Sequence, residues 1–229
     1  MPGVHSVIGV DAGTVSLREA DHLIHDLVDR LGLPPGTLAC THLIRTEGRR
    51  GAAVSLALPD RDGAEAAWRR PAALGRPDVG AALGGRERGP AEASRTAALA
   101  AAEHADRRAG RAVVYPGASR LTGTVTVADL FTLTAIDHVT VVGTPSTDGP
   151  GPAAPVLTRD HVRPEWREGR LTLALVPAVG GTLAPFEVPD PTRAALITSD
   201  SRWARRSTKS PFPTPWAAGS RHVALITRS

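Results

Sequence analysis

The fold turns on residues 6–32, which open Ser6-Val7-Ile8-Gly9-Val10-Asp11-Ala12-Gly13-Thr14-Val15-Ser16-Leu17-Arg18-Glu19-Ala20 and close at Gly32. A short apolar run, Val7, Ile8 and Val10, stops at Asp11-Ala12-Gly13-Thr14, which predicts a strand followed by a turn. Ser16 with Glu19 three residues on is a capping box, and Leu17, Ala20, Leu23, Ile24, Leu27, Val28 and Leu31 then recur at helical spacing. Gly32 ends the helix, with Pro34 and Pro35 beyond it. Two further strands are predicted over 38–45 and 52–58, joined by the polar turn 47–51 and stopped at Pro59-Asp60-Arg61-Asp62-Gly63. Residues 1–70 therefore read as a β-α-β-β unit.

The segment from Val7 to Arg18 also resembles the first phosphate loop of sugar kinases of the actin-like ATPase superfamily, in which a strand ends in Asp-x-Gly-Thr. The resemblance covers about twelve residues and implies phosphate held by the loop. In those kinases a second strand follows the turn, whereas a capped helix is expected here from Ser16. The alternative is an ordinary strand-turn-helix corner with Gly13 present for its backbone freedom. In either case Gly13, Thr14 and Ser16 are the candidate anion-binding residues, because backbone amides at a helix N-terminus attract negative charge.

Outward from this corner the pattern weakens. Residues 71–91 are rich in Ala, Gly, Pro and Arg without periodicity and are expected to form a linker or loop, with a domain seam there. Residues 92–190 read as a second α/β unit. It starts with an alanine-rich helix over 91–109, chosen on propensity because its apolar stripe is poor. A strand over 112–115 follows, then a mixed stretch over 124–133 with a short helix or turn, then a buried strand over 136–142. The alternation of Leu171, Leu173 and Leu175, with the turn 177–181 leading into 182–188, predicts a hairpin. The fold class is mixed α/β (α+β), a mixed sheet with helices packed on it.

Charge divides unevenly. Of the 229 residues, the last 37 hold seven basic groups against one acid, so the net +4 of the chain hides a slightly acidic body. Residues 191–229 are thus a basic, irregular tail carrying Trp203, Trp216 and the sole lysine, Lys209. Either this is a loosely docked extension, or the reading frame of a GC-rich gene shifted near Pro191. Arg202, Arg205, Arg206 and Lys209 are the candidate nucleic-acid contacts, and nucleic acid is not expected to bind elsewhere, since the body has no basic run interleaved with aromatics.

Other exclusions are sharper. The chain contains no Asn and no Gln, which removes carboxamide readers of adenine, Cys-His-Asn triads and N-glycosylation acceptors. No apolar run is long enough to span a bilayer, so no membrane partner is expected. Residues 1–16 lack the pattern of an export signal, and the single cysteine, Cys40, cannot form an internal disulfide; both point to a cytoplasmic protein.

Reactive groups are few. His22, His25, Cys40 and His42 are of the types zinc prefers, in a His-x2-His and Cys-x-His arrangement that matches no standard finger. They are the candidate metal ligands, with zinc the candidate cofactor. On a helical wheel His22 and His25 fall opposite the leucine stripe, so convergence requires Cys40 and His42 beside the polar edge of that helix. Ser119 lacks the flanking glycine of a nucleophile elbow, and Asp60 with Asp62 reads as a turn. No catalytic residue is assigned. The leading expectation is an accessory protein that binds a small molecule or a protein partner; the alternatives are a metal-assisted hydrolase using the His/Cys set and a nucleic-acid binder acting through the tail.

Overall fold

The computed structural model describes residues 7–45, 49–70, 77–143 and 149–187. The chain divides into two compact units, Met1–Pro189 and Asp190–Ser229, and all described residues belong to the first. The basic tail, with Arg202, Arg205, Arg206 and Lys209, lies outside the described residues.

Strand β1 (Val7–Asp11) is buried along its whole length. Ser16 then starts α1 (Leu17–Leu31): its side chain accepts from the Glu19 amide at 3.2 Å while the Glu19 carboxylate accepts from the Val15 amide at 2.9 Å. Gly32, at φ 55°, closes the helix in the left-handed conformation that glycine adopts without steric cost. Strands β2 (Leu38–Arg45) and β3 (Arg50–Ala57) pair antiparallel in an unbroken register from Leu38 opposite Ala57 to Arg45 opposite Arg50. β3 also flanks β1 antiparallel.

Two elements correct the sequence reading. Asp60, expected in a turn, caps a helix, α2 (Arg61–Trp68), accepting from the Gly63 amide at 2.6 Å. The stretch 71–91, expected as a linker, carries a hairpin of β4 (Gly80–Leu83) and β5 (Arg86–Arg88) turning at Gly84 and Gly85, both at positive φ. β4 pairs antiparallel with β1, and Val79, Ala81 and Leu83 enter the main core. Gly-Ala-Ala-Leu has no β-branched residue and so gives no strand signal; its smallness answers to what lies above it. The helix α3 (Ala91–Ala105) packs on β1, β3 and β4, and a Cβ at Gly80 would fall 2.1 Å from the Ala93 carbonyl carbon. A Cβ at Gly9 would fall 1.9 Å from the Ala97 carbonyl oxygen. The poor apolar stripe of α3 is thus the mark of a close helix-on-sheet contact made by small residues.

In space these strands run β4-β1-β3-β2, the split β-α-β arrangement. α1 and α2 share one core with alternate residues of β1, β3 and β4, and α3 covers the opposite face. β6 (Arg111–Val114) pairs with β2 and carries the sheet onward. Beyond it lie β10 (Glu165–Arg167), β11 (Arg170–Pro177), β12 (Leu183–Pro185), β9 (Pro155–Leu157) and β7 (Thr124–Thr126). Helix α4 (Val127–Leu133) follows β7 directly through a capping box of Thr126 and Asp129. The second core gathers Leu130, Ile136, Val139, Val156, Leu171 and Leu175 among others. The sheet is mixed: β8 (His138–Val141) runs parallel to β11, and β12 parallel to β9. Among the described residues no helix is long and apolar enough to cross a membrane.

β11 is where the sheet divides. One edge pairs with β8; the other is shared between β10, opposite residues 170–172, and β12, opposite residues 175–177. β10 leaves β11 because its first residue, Glu165, pairs with Arg111 of β6. A wedge opens at Leu173 and Ala174 between the two departing strands.

Candidate functional site

The structure separates the residues that the sequence put forward together. His22 and His25 are exposed on the outer face of α1. Cys40 and His42 are buried on the opposite face of the sheet, where α3 lies, and the sheet itself stands between the pairs. Among the described residues no three His, Cys, Asp or Glu side chains gather as a metal ion would require, so the proposed zinc set is not assembled. The Cys40 thiol is pushed far up by burial, with Arg111 opposing weakly, which makes it an inert core group rather than a thiolate ligand or nucleophile.

At the first corner, Asp11 is fully buried and accepts from Nη1 and Nη2 of Arg49, at 2.5 and 2.6 Å. The same carboxylate accepts from the Gly13 amide at 3.0 Å. Thr14 is docked on β3, its hydroxyl donating to the Ala52 carbonyl and its own carbonyl accepting from the Ala52 amide. Gly13 and Val15 therefore spend their amides on carboxylates of the chain, and Ser16 is engaged as the helix cap. The turn leads into a helix, unlike the second strand of the kinase loop it resembles.

A polar network that the sequence did not reveal lies beneath α3. Ser55 on β3, with no exposed surface, sits between two imidazoles: His42 Nε2 at 2.8 Å and His104 Nδ1 at 2.7 Å. His42 Nδ1 reaches the Glu103 carboxylate at 2.9 Å. The hydrogen bond from His42 holds Glu103 below the usual carboxylate range, against the pull of burial. Serine, histidine and acid thus have the spacing of a nucleophile, base and orienting group. The hydroxyl is nevertheless sealed under a helix whose backbone touches Gly9, and a substrate would have to displace α3 to meet it. The arrangement fastens the helix to the sheet with charge-assisted bonds. No motif announces it, since Ser55 stands alone in a strand and His42 and Glu103 are 61 residues apart in sequence.

The wedge at β11 is open to solvent, one of several grooves among the described residues. It forms a groove of about 350 Å³. Its apolar side is Ala174 and Phe186, the latter 62% exposed, with Pro185 beneath; Arg163, Glu165, Arg167, Thr172 and Glu187 supply the polar side. Behind the groove's Glu187, and not itself part of the lining, stands Arg111, whose Nη1 and Nη2 donate to Asp21 of α1 at 2.7 and 3.2 Å and whose Nε donates to Glu187 at 2.6 Å. Burial opposes the charge on Arg111, but these carboxylates outweigh it and keep the guanidinium firmly protonated. His161 Nε2 lies 3.2 Å from Glu187. Neither Arg111 nor Glu187 was a candidate from sequence; the only available signal was an arginine opening a buried strand. No protein family, curated protein or solved structure matches the chain.

Proposed function

We propose that this is a binding protein whose β11 groove takes a small organic molecule, with the apolar part of the ligand on Ala174 and Phe186 and its polar part toward the arginines. The observation that carries the reading is the groove itself. Its volume falls at the lower end of the range that encloses metabolite-sized ligands, and apolar walls with a few fixed polar groups are the usual composition of such sites. Strand divergence opens it, and Arg163, Phe186 and Glu187 reach it from the segments next to β10 and β12. A cytoplasmic setting belongs to the proposal and is supported by the buried, unpaired thiol of Cys40. Metal-assisted hydrolysis is not favoured, because the ligand set is divided by the sheet.

Thermal unfolding in the presence of acidic, neutral and basic compounds of groove size tests the reading. A ligand at a hundred times its Kd adds about 2.7 kcal/mol to stability, which for a chain of this length raises Tm by about 5–10 °C. The rise is expected to vanish in the double variant Arg167→Ala, Phe186→Ala. A rise that survives both substitutions, or no rise for any class, contradicts it.

A further inference from the structure

Glu187 stands two residues past β12 and lines the groove, with its side chain about one third exposed. Its carboxylate lies across the fork of Arg111, Oε2 accepting from Nε and Oε1 from Nη2, and Oε1 also faces His161. This is the bidentate geometry by which arginine selects a planar carboxylate. Arg163, a groove residue, has its Nε buried 3.7 Å from Asp21 with no hydrogen-bond partner among the described residues. With the Glu187 side chain removed, Arg111 and Arg163 would keep Asp21, and His161 would lose its carboxylate partner. Arg111 would keep its bidentate pairing to Asp21, so it would not be left as an isolated buried charge.

We propose that the inner end of the groove is a carboxylate-binding site whose resident occupant is Glu187, and that the ligand is a small carboxylic acid with an apolar body, which displaces Glu187 to reach Arg111 and Arg163. The proposal rests on the groove reading above and adds the chemical class of the ligand. Glu187 acts as an internal competitor. The apparent affinity for an added carboxylate is lowered by the fraction of molecules in which Glu187 has left the fork. The acid supplies what Glu187 supplies now, and its chain gains the exposed wall at Phe186, which no side chain of the occupant covers.

Calorimetric titration of the full chain with hexanoate, and with hexanol and hexylamine as neutral and cationic counterparts, tests this. Glu187→Gln is expected to bind hexanoate at least tenfold more tightly than the wild type, with hexanol unchanged. Adding Arg163→Ala should remove the gain. Glu187→Asp, which keeps the charge on a shorter arm, should gain less than Glu187→Gln. Equal or weaker hexanoate binding in a folded Glu187→Gln, with hexanol or hexylamine still bound in the groove, overturns the carboxylate assignment and leaves the groove reading standing. Failure of all three probes on every variant overturns both. Should neither Glu187 variant fold, the residue is a structural ion-pair partner and the proposal falls.

Discussion

Ser55 shows how much a single hydroxyl can hold. It bridges His42 and His104 at 2.8 and 2.7 Å, and with no exposed surface it has no water to replace it. Ser55→Ala would leave two imidazole nitrogens without this partner, at about 1–3 kcal/mol each. Urea denaturation should show the unfolding free energy falling by that amount, through a lower midpoint at unchanged slope; an unfolding free energy within about 0.5 kcal/mol of wild type would contradict the network. Two carboxylates add a pH dependence of known sign. Glu103 is held low by its bond from His42, and Glu187 is held low by Arg111 and His161 even though burial pushes it up. A carboxylate depressed on folding contributes stability above its unfolded pKa, about 4.3, and that stability is lost as pH falls through the folded value. Unfolding free energy should therefore decline below about pH 4.5, and less steeply in Glu187→Gln; equal slopes for wild type and variant would contradict the role given to Glu187. These residues were illegible in the sequence because their meaning lies in partners distant along the chain. Ser16 and Gly32, whose partners are neighbours, are placed at their cap positions by the sequence.

Helix α3 is the element on which both reading and structure turn. Its span was legible from alanine content, but its contact was not, because small residues leave no apolar stripe and the helix meets the sheet backbone to backbone. Gly9 is the test: a Cβ there would stand 1.9 Å from the Ala97 carbonyl oxygen. Gly9→Ala should cost about 3 kcal/mol, the upper end for overpacking, and should raise amide exchange through residues 91–105 more than elsewhere. Gly84→Ala is the control, since that hairpin glycine has open space around its Cβ and only its φ of 55° to defend, a cost of about 1 kcal/mol. Equal effects from the two substitutions would mean that α3 does not lie on β1 as described. The same small-residue contact explains why β4 carries no strand signal of its own: Gly80 and Ala82 are what fits on the α3 side, while only Ala81 and Leu83 face the main core. In the second half, the leucine alternation of β11 was plain, while the divergence of β10 and β12 from it depends on Glu165 pairing with Arg111 and could not be foreseen.

For the whole molecule, charge is the property the sequence reported best. The basic surplus belongs to residues past Thr192, and the described residues form one unit that ends before it. A chain ending at Pro189 should unfold cooperatively with a Tm within about 3 °C of the full chain and should lose retention on a phosphate resin, because the cationic surplus is gone. Loss of cooperative unfolding in the shortened chain would mean that the body needs its tail. What the sequence could not convey was that its candidate ligands, His22 and His25 against Cys40 and His42, would fall on two faces of one sheet, or that the open groove would be built from Arg163, Leu173, Phe186 and Glu187, four residues with no shared motif. Amide chemical-shift mapping decides whether ligand binds in this groove. On titration with a compound that raises Tm, the largest shifts should fall on Arg163, Leu173, Ala174, Phe186 and Glu187. Shifts centred on Gly13 to Ser16, or on the network around Ser55, would contradict it.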